Sequence, residues 1–317
     1  MFSVSRHELN DYASQTGFLI NPLEKALRLI NVLSTLNEHP FLCNKFVLKG
    51  GTALNLFYFN LPRLSIDIDL NYTAFLKVGE MRKDKQMIIT EIESVFASEY
   101  SVEISQDKHV LTQFFFRYRT LSGSSDMLKV EINYLHRQPI LTPVKRKCRM
   151  KGTNLEFECL DFVELSAGKI AAMLERYTSR DLFDIYQIAN HLEEKHFDAL
   201  KSLLLYYSII KRPTIFDLYQ LKFDQIGQSD IKNHLIPMLS KRGFLDRESL
   251  IRKVEDFIQP LLQLSEKQIK GISEFYRLGQ INLTDLIAED TLCLEIAKSP
   301  ALQWRVKNII NYRKKHK

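Results

Sequence analysis

Apolar residues recur at two periods along the chain, and the change of period marks a change of element. Between Glu8 and Leu36, Leu19, Leu23, Ala26, Leu27, Ile30 and Leu33 fall at helical spacing and predict one or two helices. Asn21-Pro22 marks a start, because proline suits the first turn of a helix. Phe46-Val47-Leu48 predicts a short buried strand, and Thr52 to Tyr58 the start of a helix. Ser65-Ile66-Asp67-Ile68-Asp69-Leu70 alternates strictly, as a half-buried strand does. Gly79 to Tyr100 predicts a helix with Ile88, Ile92 and Phe96 inward. Ser101 to Ser105 and Val110 to Thr120 predict strands, residues 121–126 a hairpin turn, and Met127 to Leu135 the returning strand. In that strand Val130, Ile132 and Tyr134 share one face, and Lys129, Glu131 and Asn133 the other. Asp161-x-x-Glu164 has the form of a capping box opening a helix that runs through Lys169 to Tyr177. Thr178-Ser179 is a potential break before Arg180 to Tyr186. From Phe197 onward the pattern is helical near 197–211, 229–241, 247–263, 266–279 and 299–315, punctuated by Pro213, Pro237, Pro260 and Pro300.

The chemistry concentrates between Phe46 and Tyr72. Alternation puts Asp67 and Asp69 on one strand face, about 6.6 Å apart at two residues' rise. Two carboxylates so placed repel unless a cation lies between them, and an oxygen-only donor set suits Mg²⁺ or Mn²⁺ better than zinc. Upstream, Lys49-Gly50-Gly51-Thr52 joins strand to helix, where glycine admits close backbone approach and a helix start favours anions such as phosphate. A phosphate cradle one helix away from an acidic pair describes a metal–nucleoside triphosphate site. The chain has no G-x-x-x-x-G-K-[ST] loop, and no G-x-G-x-x-G follows a strand.

Gly50-Gly51-Thr52-Ala53-Leu54, followed by Arg63-x-Ser65-x-Asp67-Ile68-Asp69, resembles the signature of the AbiEii/AbiGii toxin family, within the nucleotidyltransferase superfamily related to polymerase β. The resemblance covers about Val47 to Tyr186. It implies an α+β fold, with a catalytic domain over 1–160 that carries a small mixed sheet flanked by helices, and a helical domain over 161–317 that closes the cleft. It implies a third carboxylate from a later strand, which Glu131 matches in kind and order. Lys169, Arg176 and Arg180-Asp181-x-x-Asp184 match a further pattern in which the lysine faces the triphosphate and a following aspartate is needed for activity. An unbroken helix would put Lys169, Arg176, Arg180 and Asp184 on one stripe and favour Asp184 over Asp181; a break would leave only two same-face pairs. The expected metal ligands are Asp67, Asp69 and Glu131, which with Lys169 and Asp184 make the catalytic set. The expected nucleotide-binding residues are Lys49, Gly50, Gly51, Thr52, Arg63, Ser65, Lys169 and Arg180. The implied reaction moves a nucleoside monophosphate from an NTP to an acceptor hydroxyl with Mg²⁺ or Mn²⁺, and the implied acceptor is the 3′ end of tRNA. The implied partner is a winged-helix antitoxin. Three alternatives stay open: a protein or small-molecule hydroxyl, such as that of an antibiotic, as acceptor; a degenerate nucleotide-binding module; and a two-metal nuclease, which would need neither the phosphate cradle nor Lys169.

Composition narrows this modestly. Across 317 residues, 45% hydrophobic and 26% charged, there is ample material for a core. The net charge of +6 is compatible with nucleic acid without being diagnostic. Its densest windows are Pro143 to Gly152, which reads as a solvated loop or a phosphate contact, and the C-terminal Arg313-Lys-Lys-His-Lys317, which reads as a solvated tail or an RNA contact. Cys43, Cys148, Cys159 and Cys293 are widely spaced, which points to reduced thiols, a cytoplasmic location and no zinc site. The N-terminus is too polar for a signal peptide and no apolar run is long enough to span a bilayer.

Overall fold

The computed structural model describes residues 3–211, 221–240 and 246–315; Pro213, Lys241, His316 and Lys317 among the features above lie outside them. The chain divides into two compact units, one of Met1–Arg137, Pro143–Leu160 and Lys232–Phe244, the other of Gln138–Thr142, Asp161–Ile231 and Leu245–Lys317.

The first unit opens with α1 (Arg6–Thr16), whose N-terminus is closed by a Ser5–Glu8 capping box, and α2 (Ile20–Glu38). Most of the apolar stripe foreseen for α2 is its buried face, with Leu23, Ala26, Leu27, Ile30 and Leu33 within it, while Leu19 precedes the helix and is exposed. β1 (Phe46–Lys49) runs into α3 (Gly50–Thr52), which continues as a π-helical turn over Ala53–Tyr58. Then follow β2 (Asp67–Tyr72), α4 (Val78–Phe96), β3 (Ser101–Lys108), β4 (Leu111–Arg119), β5 (Ser125–Asn133), β6 (Val144–Lys147) and β7 (Glu156–Cys159). The seven strands form one mixed sheet in the order β3-β4-β5-β2-β1-β7-β6. β2 lies parallel to β5, and β1 parallel to β7; the other pairs are antiparallel. This is an α+β fold.

One face of the sheet is apolar because alternation puts Ile68 and Leu70, Val130 and Ile132, and Phe114, Phe116 and Tyr118 on it, all buried. Helices cover it: the Phe96 ring of α4 packs 4.9 Å from Phe116, and the Arg28 guanidinium of α2 lies 4.3 Å from the Tyr118 ring. Each such buried side chain stabilises the unit by about 1.5–3 kcal/mol relative to exposure. The opposite face carries the charges.

The basic window expected as a loop contains a strand. β6 takes Val144–Lys147 and forms one edge of the sheet, with Lys145 and Lys147 exposed. Lysines on an edge strand oppose pairing with another chain, which is why a strand tolerates this composition there.

The second unit contains α5 (Phe162–Arg176), α6 (Ser179–His191), α7 (Phe197–Lys211), α8 (Gln228–Asp230), α9 (Arg247–Leu262), α10 (Glu266–Leu278), α11 (Asp290–Lys298) and α12 (Pro300–Lys315). α11 was not foreseen. The expected capping box at α5 forms only in half. Asp161 caps Val163 N at 2.8 Å, but Glu164 turns inward. It accepts from Leu141 N at 2.8 Å, from Ile140 N at 3.0 and 3.1 Å and from Tyr207 Oη at 2.7 Å. With several donors around it, a buried carboxylate is better satisfied there than by one exposed N–H. It thereby ties 138–142 to the helical unit. Among the described residues, no helix is long and apolar enough to cross a membrane.

Candidate active site

The charged face of the sheet is built by register. β1 and β2 set Lys49 opposite Asp69, and the parallel β2–β5 ladder sets Asp67 beside Lys129 and Asp69 beside Glu131. Asp67, Asp69 and Glu131 are thus brought to one face of adjacent strands, with Lys49 and Lys129 among them. The Lys129 ammonium sits 3.1 Å from Glu131. Lys129 is the charged neighbour that the sequence reading left without a role. Its signal was present, since it shares a strand face with Glu131 two residues away.

Burial pushes the Asp69 carboxyl above its ordinary value; Lys49 pulls it back, while Glu131 and Asp67 add to the rise. Burial works against the Lys129 ammonium, but Glu131, Asp69 and Asp67 outweigh it and leave that group raised. At Asp69 burial outweighs the relief that Lys49 and Lys129 give.

Gly50 is packed directly on this cluster. Its φ is +72°, and a Cβ there would collide with the Asp69 carboxylate and stand 3.2 Å from Asp69 Cβ. Glycine is required here for both reasons. Gly51 is helical, and its carbonyl accepts from Asn55 Nδ2 at 2.9 Å. Thr52 is fully buried, and its hydroxyl donates to the Asp67 carbonyl and lies 2.9 Å from Ser65 Oγ. That hydroxyl braces the start of β2. Arg63 is 3% exposed, its guanidinium donating to the Leu64 carbonyl at 2.8 Å. Arg63 and Ser65 thus hold the approach to β2 from within the protein.

The donor set suits a hard divalent cation: three carboxylates on adjacent strands, no sulfur, and a raised Asp69 that such an ion would relieve. Among the described residues, no three acidic, His or Cys side chains already converge on one point. Glu131 is held by Lys129.

The remaining expected residues form a separate cluster in the helical unit. α5 ends at Tyr177, which is left-handed at φ 48°, and Thr178 caps α6 by accepting from Asp181 N at 3.3 Å. This is the break. In an unbroken helix Lys169 and Asp184 would lie about 22 Å apart along the axis. Folding α6 back brings Lys169 Nζ to 2.9 Å from Asp181 and 2.5 Å from Asp184. Arg176 closes on Asp181 at 2.9 Å, and Arg180 lies half-buried on α6. So both aspartates, rather than one, meet the lysine. Burial alone would raise the Asp181 carboxyl; Lys169 and Arg176 outweigh it and hold it below its ordinary value.

A family model described as "Nucleotidyl transferase AbiEii toxin, Type IV TA system" matches residues 31–265. Of solved structures, the nucleotidyltransferase toxin MenT4 of Mycobacterium tuberculosis superposes with a TM-score of 0.64 at 14% identity, covering 95% of this chain and 99% of that one. JHP933 of Helicobacter pylori superposes with a TM-score of 0.51 at 22% identity, covering 81% and 99%. At these identities the two share the fold. Among curated proteins, none matches the sequence significantly.

Proposed function

The chain belongs to the AbiEii family of nucleotidyltransferase toxins of type IV toxin–antitoxin systems, and on that premise we propose that it transfers a nucleoside monophosphate from an NTP to the 3′-terminal hydroxyl of tRNA in the cytoplasm. The acceptor oxygen bonds to the α-phosphorus, the α–β phosphoanhydride bond breaks, and pyrophosphate leaves. The observation that carries this reading is the β2–β5 register, which sets Asp69 beside Glu131 with Gly50 against Asp69.

In this reading Asp67, Asp69 and Glu131 hold Mg²⁺ or Mn²⁺, which when bound supplies charge neutralisation for the triphosphate and activation of the attacking hydroxyl. The N–H groups of Gly50 and Gly51, at the start of a helical turn and without acceptors inside it, take phosphate oxygens. Thr52 and Ser65 fix β2, and so fix where both aspartates point. Asp181 and Asp184 hold the ammonium of Lys169, the cation that the family resemblance assigns to phosphate. A type IV toxin implies an antitoxin partner; a winged-helix DNA-binding protein encoded beside it is part of the proposal.

The test is transfer of label from each α-labelled NTP, with Mg²⁺, into total tRNA, with Asp69→Asn as control. Label on tRNA from wild type alone is expected. Tight Mg²⁺–NTP binding with no label on tRNA would overturn the acceptor and keep the chemistry.

A further inference from the structure

The charge of this chain is unevenly distributed. Six of its 44 Lys and Arg residues, Arg305, Lys307, Arg313, Lys314, Lys315 and Lys317, lie after residue 300, and none of its 38 Asp and Glu residues do. The rest of the chain is therefore formally neutral, and the whole net charge of +6 belongs to this one segment. Most of it is α12, which lies beyond the residues matched by the family model.

α12 has two sides. The inward side is anchored within the helical unit: Ala301 and Leu302 are buried, and the Arg305 guanidinium lies 5.7 Å from the Tyr276 ring. Ile310 packs on Gly279, where an added Cβ would stand 2.7 Å from it. The outward side carries Trp304, Lys307, Asn311, Lys314 and Lys315, all exposed. At about 100° per residue these fall within one arc of roughly 100°. Trp304 is the only tryptophan of the chain and is 42% exposed.

A solvated helix face needs neither an exposed indole nor an acid-free run of cations. A polyanion with stackable bases fits both: lysines take backbone phosphates, the indole takes a base face, and Asn311 offers hydrogen bonds. We infer that the outer face of α12 is a docking surface for single-stranded RNA, and that it recruits the acceptor strand. This rests on the reading of RNA as acceptor.

The test uses the full-length protein and the emission of Trp304, with total tRNA and a single-stranded RNA 12-mer as probes and phosphatidylserine vesicles as control. Stacking is expected to quench the emission on titration with either RNA. The triple variant Lys307→Glu/Lys314→Glu/Lys315→Glu is expected to weaken RNA binding at least about tenfold and to flatten the log–log salt slope by about 2, at about 0.7 per lost phosphate contact on a single strand. Trp304→Ala is expected to cost about fivefold or more. Unfolding melts identify any variant with a damaged fold; the three substituted lysines are exposed and read the surface independently of Trp304. Unchanged affinity and salt slope in the triple variant overturn the inference, as does emission that responds to vesicles and not to RNA. The two readings fail separately. Label on tRNA with an unchanged KM for tRNA in the triple variant removes α12 and keeps the transferase. Quenching by RNA without any label on tRNA removes the tRNA acceptor and keeps the docking surface.

Discussion

Two clusters in this molecule use the same residue types in opposite electrostatic states. In the sheet, Asp67, Asp69 and Glu131 meet Lys49 and Lys129, and Asp69 is still raised. In the helices, Lys169 and Arg176 meet Asp181 and Asp184, and Asp181 is lowered. The second cluster is balanced, and its Lys169–Asp184 pair is nearly sealed, with the Asp184 side chain at 0% and Lys169 at 8% exposure, while Arg176 closes it from the solvent side. The first has surplus negative charge on a half-exposed surface, where Lys129 is 36% exposed. A balanced buried set holds structure together, and removing one partner strands a charge. An unbalanced set awaits another cation, so removing an acid relieves it. On the proposed reading, the cluster whose charges are left unsettled is the one that takes the cation.

That contrast is broken most directly by removing one carboxylate from each cluster. Asp67→Asn or Asp69→Asn should lower nucleotide transfer on the order of 10³-fold or more, by loss of a metal ligand. In metal-free buffer the Asp69 variant should be at least as resistant to urea as wild type. Asp184→Ala should instead cost about 3–5 kcal/mol in urea unfolding, because it leaves the buried Lys169 with one carboxylate fewer. A destabilised Asp69→Asn beside a stable Asp184→Ala would reverse the assignment.

Gly50→Ala is the next largest effect. The substitution forces a side chain into the Asp69 carboxylate at a left-handed φ. A stability loss of about 1–3 kcal/mol is expected, with loss of transfer beyond what the melting curve explains. Full activity in this variant would show that the glycine and Asp69 need not touch during turnover.

The two clusters should also pull the stability–pH curve in opposite directions. Asp181 is lowered on folding, so its contribution is present above its unfolded pKa and lost as pH falls through the folded value. Asp69 is raised, so its contribution is present below its unfolded pKa and lost as pH rises through the folded value. In metal-free urea titrations, Asp69→Asn should remove the loss on the rising limb, and Asp181→Asn the loss on the acid limb. Mg²⁺ should stabilise wild type above the Asp69 transition, and a hundredfold excess over its Kd is worth about 2.7 kcal/mol. Parallel curves for wild type and Asp69→Asn would remove the electrostatic case for the metal.

The motif-bearing part of the site was legible because it is local. Strict alternation fixed the shared face of Asp67 and Asp69, and Gly-Gly between strand and helix marked a close approach whose object, Asp69, the structure supplies. What needed long-range information was not legible. The pairing of Asp69 with Glu131 depends on β2 running parallel to β5, with α4, β3 and β4 in between; the family resemblance pointed to Glu131, and the pattern of the residues alone did not. The meeting of Lys169 with both aspartates depends on a left-handed Tyr177, a residue that carries no turn signal of its own. Glu164 looked like a cap because its spacing was right; which donors surrounded it was a tertiary fact. Lys145 and Lys147 looked like loop residues because composition does not reveal which strand is an edge.

Lys129 gives the smallest and sharpest test of the contrast. As an ion pair it contributes little, because Lys129 and Glu131 are both partly exposed and water screens them; Lys129→Met should change urea stability by no more than about 1 kcal/mol. Its effect on cation binding should be larger and of opposite sense. Its ammonium occupies part of the field of Asp67, Asp69 and Glu131 and engages one Glu131 oxygen. Removing it frees Glu131 and leaves the acids less neutralised, so Mg²⁺ or Mn²⁺ should bind several-fold tighter by calorimetric titration. If Lys129 instead contacts the phosphates, the same variant binds Mg²⁺ as wild type does and loses affinity for Mg²⁺–NTP. The sign of the change in metal affinity, measured without nucleotide, decides whether Lys129 is a stand-in for the metal or a companion to it.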